Sequence, residues 1–175
     1  MRPAAPGWRA EPLQDGVLED GQVIFGLTVL HTPGHASDHL CFARADGVLF
    51  SGDHVMSWNS SIVSPPDGNM RDYCAQFRRL IDRNDRVYLP GRGPAITDPR
   101  PYAERLLANR IRREAEILAH LSNTADSIWQ IAASVYRKTD PHIAKAAESN
   151  VAAHLEKLLS EGRVARDGEL WRGAE

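Results

Sequence analysis

Cysteine is nearly absent from this chain. Only Cys41 and Cys74 occur among 175 residues, far apart and beside apolar neighbours. That pattern predicts two buried, reduced thiols rather than a disulfide framework, and it fits a reducing compartment. Long apolar runs are missing too. No segment approaches the ~20 apolar residues of a spanning helix, and Met1–Gly7 holds no signal-peptide core. The expectation is a soluble, cytoplasmic protein. An excess of one charge is also lacking: the formal net charge is -2, which argues against a dominant nucleic-acid or acidic-membrane surface. There is no internal repeat and no low-complexity tract. What is present is a hydrophobic fraction of 42%, enough for a core, in a length suited to one domain or to one small domain with an appendage.

The first twenty residues, rich in proline and glycine, read as loop. β-branched runs predict strand over Gln22–Phe25 and Leu27–Leu30, broken by Thr32-Pro33-Gly34. Leu40–Ala43 and Val48–Ser51 flank Asp46-Gly47, a two-residue turn signal, so they predict a hairpin. Helical spacing covers Asp72–Asp82, and Arg86–Leu89 is a short strand. After Pro101 the character changes. Leu107, Ile111, Leu118 and Leu121 form a helical stripe. Helices near Ser127 and from about His142 to Ser160 follow, then an Asp167-Gly168 hairpin. Three helices and a hairpin are the plan of a winged helix, with a boundary near residue 100.

Three segments share a design, a strand followed by a turn bearing Gly or Pro and a polar residue. They are Thr32-Pro33-Gly34-His35, Ser51-Gly52-Asp53 and Pro90-Gly91-Arg92-Gly93-Pro94. Side chains at strand ends can converge on one site. Histidine offers a borderline nitrogen ligand, and aspartate a hard oxygen able to bridge two cations.

In order and approximate spacing these segments resemble three consecutive motifs of the metallo-β-lactamase superfamily. The tail resembles the β-lactamase-like branch with a C-terminal winged-helix domain, a branch that includes an RNA-cleaving member. The resemblance runs from about Leu18 to about Val164. It implies an α/β (α+β) fold: residues 1–100 as the C-terminal half of an αββα sandwich, and residues 101–175 as a small winged-helix-like domain. It also implies a two-metal zinc hydrolase, in which the metals generate a hydroxide near neutral pH. Family substrates are esters, thioesters, lactones, β-lactams and RNA phosphodiesters. His35 stands at a ligand position of the first metal, and Asp53 at the carboxylate that bridges both.

Two departures stand against activity. Arg92 occupies the position of a histidine ligand, and a guanidinium has no lone pair for a cation. The family's HxHxDH string, which supplies three or more ligands, does not occur in the chain. The expectation is therefore a truncated or degenerate hydrolase, inactive alone, with His35 and Asp53 as its remaining metal residues and no catalytic residue assignable.

Two alternatives stay open. One is a non-catalytic binding or oligomerisation protein in which Arg92 pairs with Asp53. The other is a winged-helix nucleic-acid binder, disfavoured because the third helix and the hairpin carry mixed charge. Expected partners are a second copy or the missing N-terminal half in trans, covering apolar strand surface at Val23–Leu30, and a small-molecule substrate if active. No membrane is expected. His31 reads as a strand residue, His39 as a hydrogen-bonding residue at the site rim, and His54 as a supporting or bland one. His120, His142, His154 and the run Arg110, Arg112, Arg113 read as solvated helix faces.

Overall fold

The β-branched run over residues 23–31 folds into two strands. β1 (Val23–Ile24) and β2 (Leu27–His31) are joined by Phe25 and Gly26, both at positive φ, as a two-residue hairpin loop requires. This computed structural model describes residues 16–136 and 141–174. The loop reading of residues 1–15 and the side chain of His142 lie outside the described residues.

β3 (Leu40–Arg44), β4 (Val48–Gly52) and β5 (Val87–Pro90) complete a sheet ordered β1-β2-β3-β4-β5. All neighbours are antiparallel except β4 and β5. β2, β4 and β5 therefore run the same way, and their C-terminal ends open on one edge. The β3–β4 connection is three residues, Ala45–Gly47, rather than the expected two, with Gly47 at φ +82. The extra residue leaves Phe42 opposite Phe50.

Register places Leu30, Cys41, Ala43, Leu49 and Tyr88 on one face of the sheet. They pack in one core with Tyr73, Phe77, Leu80 and Ile81 of α1 (Met70–Asp82). Each such large apolar side chain contributes ~1.5–3 kcal/mol on full burial. Asn69 caps α1 by accepting from the backbone N–H groups of Arg71 and Asp72, an arrangement worth ~1 kcal/mol. Both cysteines are free and buried, and burial pushes the Cys41 thiol up to about 12. The opposite face carries Leu27, Phe42, Val48, Phe50, Val87 and Leu89, none of which belongs to that core. Of the segment expected to lack partners, Val29 and Leu30 are buried while Val23 and Phe25 are exposed.

α2 (Pro99–Leu121) departs from the predicted stripe. Its buried positions are Pro99, Ala103, Leu107, Arg110, Ile117 and Leu121, while Ile111 faces outward. The helical period continues through two charged residues, Arg110 and Glu114. α4 (Pro141–Ser160) explains why. Asn150 accepts from Arg110 at 3.0 Å, and His154 and Lys157 pair with Glu114 at 3.3 and 2.7 Å. Arg110 and His154 are thus interior groups with partners, not members of solvated faces. His120 is half-buried against Asp126, at 2.7 Å.

α3 (Ile128–Val135) starts from a capping box between Ser127 and Gln130. β7 (Val164–Asp167) and β8 (Leu170–Gly173) form the expected hairpin, and a short β6 (Asp126–Ser127) adds a third strand in the order β6-β8-β7. A second core joins Ile117 and Leu121 of α2 to Ile131, Val151, Leu155, Leu158, Val164 and Trp171. No helix among the described residues is long and apolar enough to cross a membrane.

Candidate metal centre

His35 follows β2, Asp53 follows β4 and Arg92 follows β5, so the sheet edge described above gathers all three. His35 Nε2 lies 4.0 Å from Asp53 Oδ2, and an Arg92 guanidinium nitrogen lies 3.1 Å from the same oxygen. Gly91 makes room for that carboxylate, because a Cβ there would lie 3.1 Å from Asp53 Oδ1.

The ring of His35 is oriented by its other nitrogen. Nδ1–H donates to the carbonyl of Ile62 at 2.7 Å, which leaves the Nε2 lone pair directed toward Asp53. This is the tautomer of a histidine that ligates a metal through Nε2. The Ser61 hydroxyl donates to the Asp53 carbonyl, so one loop supports both residues.

His39 has a positioning role. The Asp53 backbone N–H donates to its Nε2 at 3.2 Å, so the proton sits on Nδ1 and donates to Thr32 Oγ1 at 2.8 Å. Burial, with repulsion from His35, lowers its pKa and favours this neutral form. His31 stays at the strand end, its Nε2–H donating to the Ser37 carbonyl at 2.9 Å. The roles of the Ile62 carbonyl and the Ser61 hydroxyl are missed from sequence, where Thr32 marks only the start of a turn. A backbone carbonyl leaves no signal in residue type.

His54 lies behind Asp53, fully buried against the rings of Tyr73 and Phe77, with centroids at 4.7 and 5.1 Å. Neither ring nitrogen has a well-formed hydrogen bond. Burial first, then repulsion from His39 and His35, pushes it down to about 3, against a weak opposing pull from the Thr32 backbone. The unfolded chain takes up this proton near ~6.5. The neutral ring therefore stabilises the fold fully above that pH, and the contribution is lost as pH falls toward 3. The slope is ~1.4 kcal/mol per pH unit for each proton. His54→Phe is expected to flatten stability between ~pH 6.5 and 5 by about that amount, read from urea unfolding at several pH values. An unchanged slope would rule out the protonation account.

Do these residues fit a metal? His35 and Asp53 are chemically suitable donors. Two donors each ~2.0–2.2 Å from a zinc ion can lie up to ~4.4 Å apart. Yet no group of three or more His, Cys, Asp or Glu suited to a metal occurs among the described residues, and Arg92 holds a fixed positive charge against the shared carboxylate. They do not make a metal centre by themselves.

Comparison with known proteins gives the same outline. Residues 2–92 match the model of the metallo-beta-lactamase superfamily, and residues 127–171 that of the beta-lactamase associated winged helix domain. A beta-lactamase-like protein 2 homolog from Drosophila melanogaster is 30% identical over 141 residues, covering 79% of this chain and 47% of the relative. An atrochrysone carboxyl ACP thioesterase from Cryptosporiopsis sp. (strain 8999) is 34% identical over 109 residues, 59% of this chain and 33% of that protein. The crystal structure of a metallo-beta-lactamase family protein from Thermus thermophilus superposes with a TM-score of 0.77 at 30% identity, covering 89% of this chain and 53% of that one. The chain spans about half the length, or less, of the curated relatives it matches.

Proposed function

The chain belongs to the metallo-beta-lactamase superfamily, and on that premise we propose that it supplies one half of a metal-dependent hydrolase of acyl thioesters, whose metal centre these residues do not complete alone. The observation that carries this reading is the His35–Asp53 pair, 4.0 Å apart, with the imidazole oriented through Ile62. Among the described residues no third donor joins them, and in this reading the remaining ligands come from a longer polypeptide or a partner chain. The thioester class rests on relatives named as acyl-carrier-protein thioesterases. The fold itself does not choose a substrate.

The Arg92–Asp53 contact at 3.1 Å favours a second reading, a retained fold without catalysis. In it the guanidinium neutralises Asp53 in place of a cation. One experiment separates the two. The purified chain is assayed for zinc by elemental analysis and for acyl-coenzyme A hydrolysis, alone and mixed with a polypeptide supplying an HxHxDH half. Alone, it is expected to hold well under one equivalent of zinc and to show background turnover. The mixture is expected to gain both. Full zinc loading and turnover by the chain alone would refute the incomplete centre. A mixture that loads zinc without hydrolysis would refute the thioester reading.

A further inference from the structure

The second half of α2 carries three guanidinium groups, Arg110, Arg112 and Arg113, none of which makes a hydrogen bond or ion pair with His35 or Asp53 among the described residues. With the loop around Ser60, with Tyr136 and with α4 they enclose a cavity of about 300 Å³. Asn59, Ser60, Arg110, Arg112, Arg113 and Tyr136 line it, and among the described residues no Asp or Glu does.

Two of the three cations are held in place. Arg110, almost fully buried, donates to Asn150 Oδ1 at 3.0 Å, to Ser60 Oγ at 2.7 Å and to the Ser61 carbonyl, all of them neutral acceptors. Arg113 donates to the Val135 carbonyl at 2.6 Å and lies 3.9 Å from the centroid of the Tyr136 ring. Arg112 sits exposed. Among the described residues Glu116 is the one carboxylate in contact, and it pairs with both Arg112 and Arg113. Three positive charges against one negative leave a surplus of two beside fixed N–H donors. That surplus matches a dianionic group and exceeds what one carboxylate would neutralise. Planar guanidinium forks suit phosphate oxygens in particular.

The cavity shares a wall with the metal-type pair. Ser60 and Ile62 line it, while Ser61 donates to the Asp53 carbonyl and Ile62 accepts from His35. We propose that this cavity binds the phosphate-bearing end of an acyl carrier, with the acyl thioester directed across the 59–62 loop toward His35 and Asp53. The substrate assignment rests on the thioester reading above. The phosphate site is tested without any hydrolysis.

Inorganic pyrophosphate and coenzyme A are titrated calorimetrically into the full chain. Both are expected to bind, with dissociation constants in the range of ~0.1 mM or tighter. Arg112 is exposed, so Arg112→Glu keeps the fold, and it is expected to weaken both at least ~10-fold, as is Asn109→Asp, at an exposed residue that also lines the cavity. His35→Ala is expected to leave both unchanged. Binding that survives Arg112→Glu and Asn109→Asp undiminished overturns the site. Loss of binding in His35→Ala also overturns it, because the phosphate would then sit at the metal-type pair. A phosphopantetheinylated carrier protein that binds more tightly than coenzyme A identifies the carrier as protein-borne, and the reverse order identifies it as the free cofactor. A short single-stranded RNA that binds more tightly than either ligand overturns the proposal in favour of nucleic acid.

Discussion

Arg92→His is expected to tighten zinc binding by ~10- to 100-fold, measured by competition with a chromogenic chelator. Two effects act together. The guanidinium sits 3.1 Å from Asp53 Oδ2, where it repels any cation drawn to that oxygen. Two unit charges ~4 Å apart repel by about 4 kcal/mol at an effective dielectric of ~20. Arg92 is 61% exposed and can swing aside, so only part of that repulsion is recovered. The imidazole then adds a third neutral or anionic donor, the number typical of hydrolytic zinc sites. Arg92→Ala separates the two effects and is expected to lie between the parent and Arg92→His. Equal zinc affinity in all three proteins would mean that Arg92 does not face the cation position.

Gly34→Ala is expected to destabilise the protein by at least ~3 kcal/mol, a size reached only by a short list of mechanisms. Gly34 has φ +134, and an added Cβ would lie 2.6 Å from Tyr73 Cβ and nearer still to the Tyr73 backbone. That backbone is the first turn of α1 and cannot yield alone, because Asn69, the α1 cap, donates its N–H to the Gly34 carbonyl at 2.8 Å. The control is Gly21→Ala. Gly21 also has positive φ, at +82, but its Cβ would meet nothing within 4 Å. It is expected to cost ~1 kcal/mol, the strain alone. Chemical unfolding of both variants decides the matter, since equal losses would remove the steric account. His35 is the next residue along the chain, so the same clash is expected to displace the imidazole from Asp53.

Local chemistry carried much of this architecture into the sequence. A β-branched run marked β2, the Asp46-Gly47 turn signal marked β3 and β4, and the glycine turns marked the places where His35, Asp53 and Arg92 meet. The Arg92–Asp53 contact was expected because the family resemblance put both residues at ligand positions of one site, where two opposite charges pair rather than stand apart. Burial of charge was not legible in the same way. Arg110 and His154 look like surface residues because burial is unfavourable for an unpaired charge. Their partners, Asn150 and Glu114, lie 40 residues away in the chain, so no local window contains both members of either pair. Ile111 looks like core for the converse reason. The helix was phased on its apolar residues, whereas the true inner stripe runs through Arg110 and Glu114. The Ile62 carbonyl was invisible because backbone atoms have no residue identity.

The length of α2 has a consequence for how the molecule comes apart. Ala103 and Leu107 belong to the sheet core, while Ile117 and Leu121 belong to the winged-helix core. Between them, Arg110 clasps Ser60 and Ser61 while Asn150 on α4 accepts from the Val63 backbone at 3.1 Å. Helical hydrogen bonds form and break cooperatively along a segment, so fraying that starts at the wing travels along this rod. Fraying along that course would release the Arg110 clasp before it reached the sheet. The first casualty is then the loop whose Ile62 carbonyl aims His35. Heat or denaturant applied to a surface far from Asp53 would register there as a ring set free to rotate, ahead of any loss of sheet.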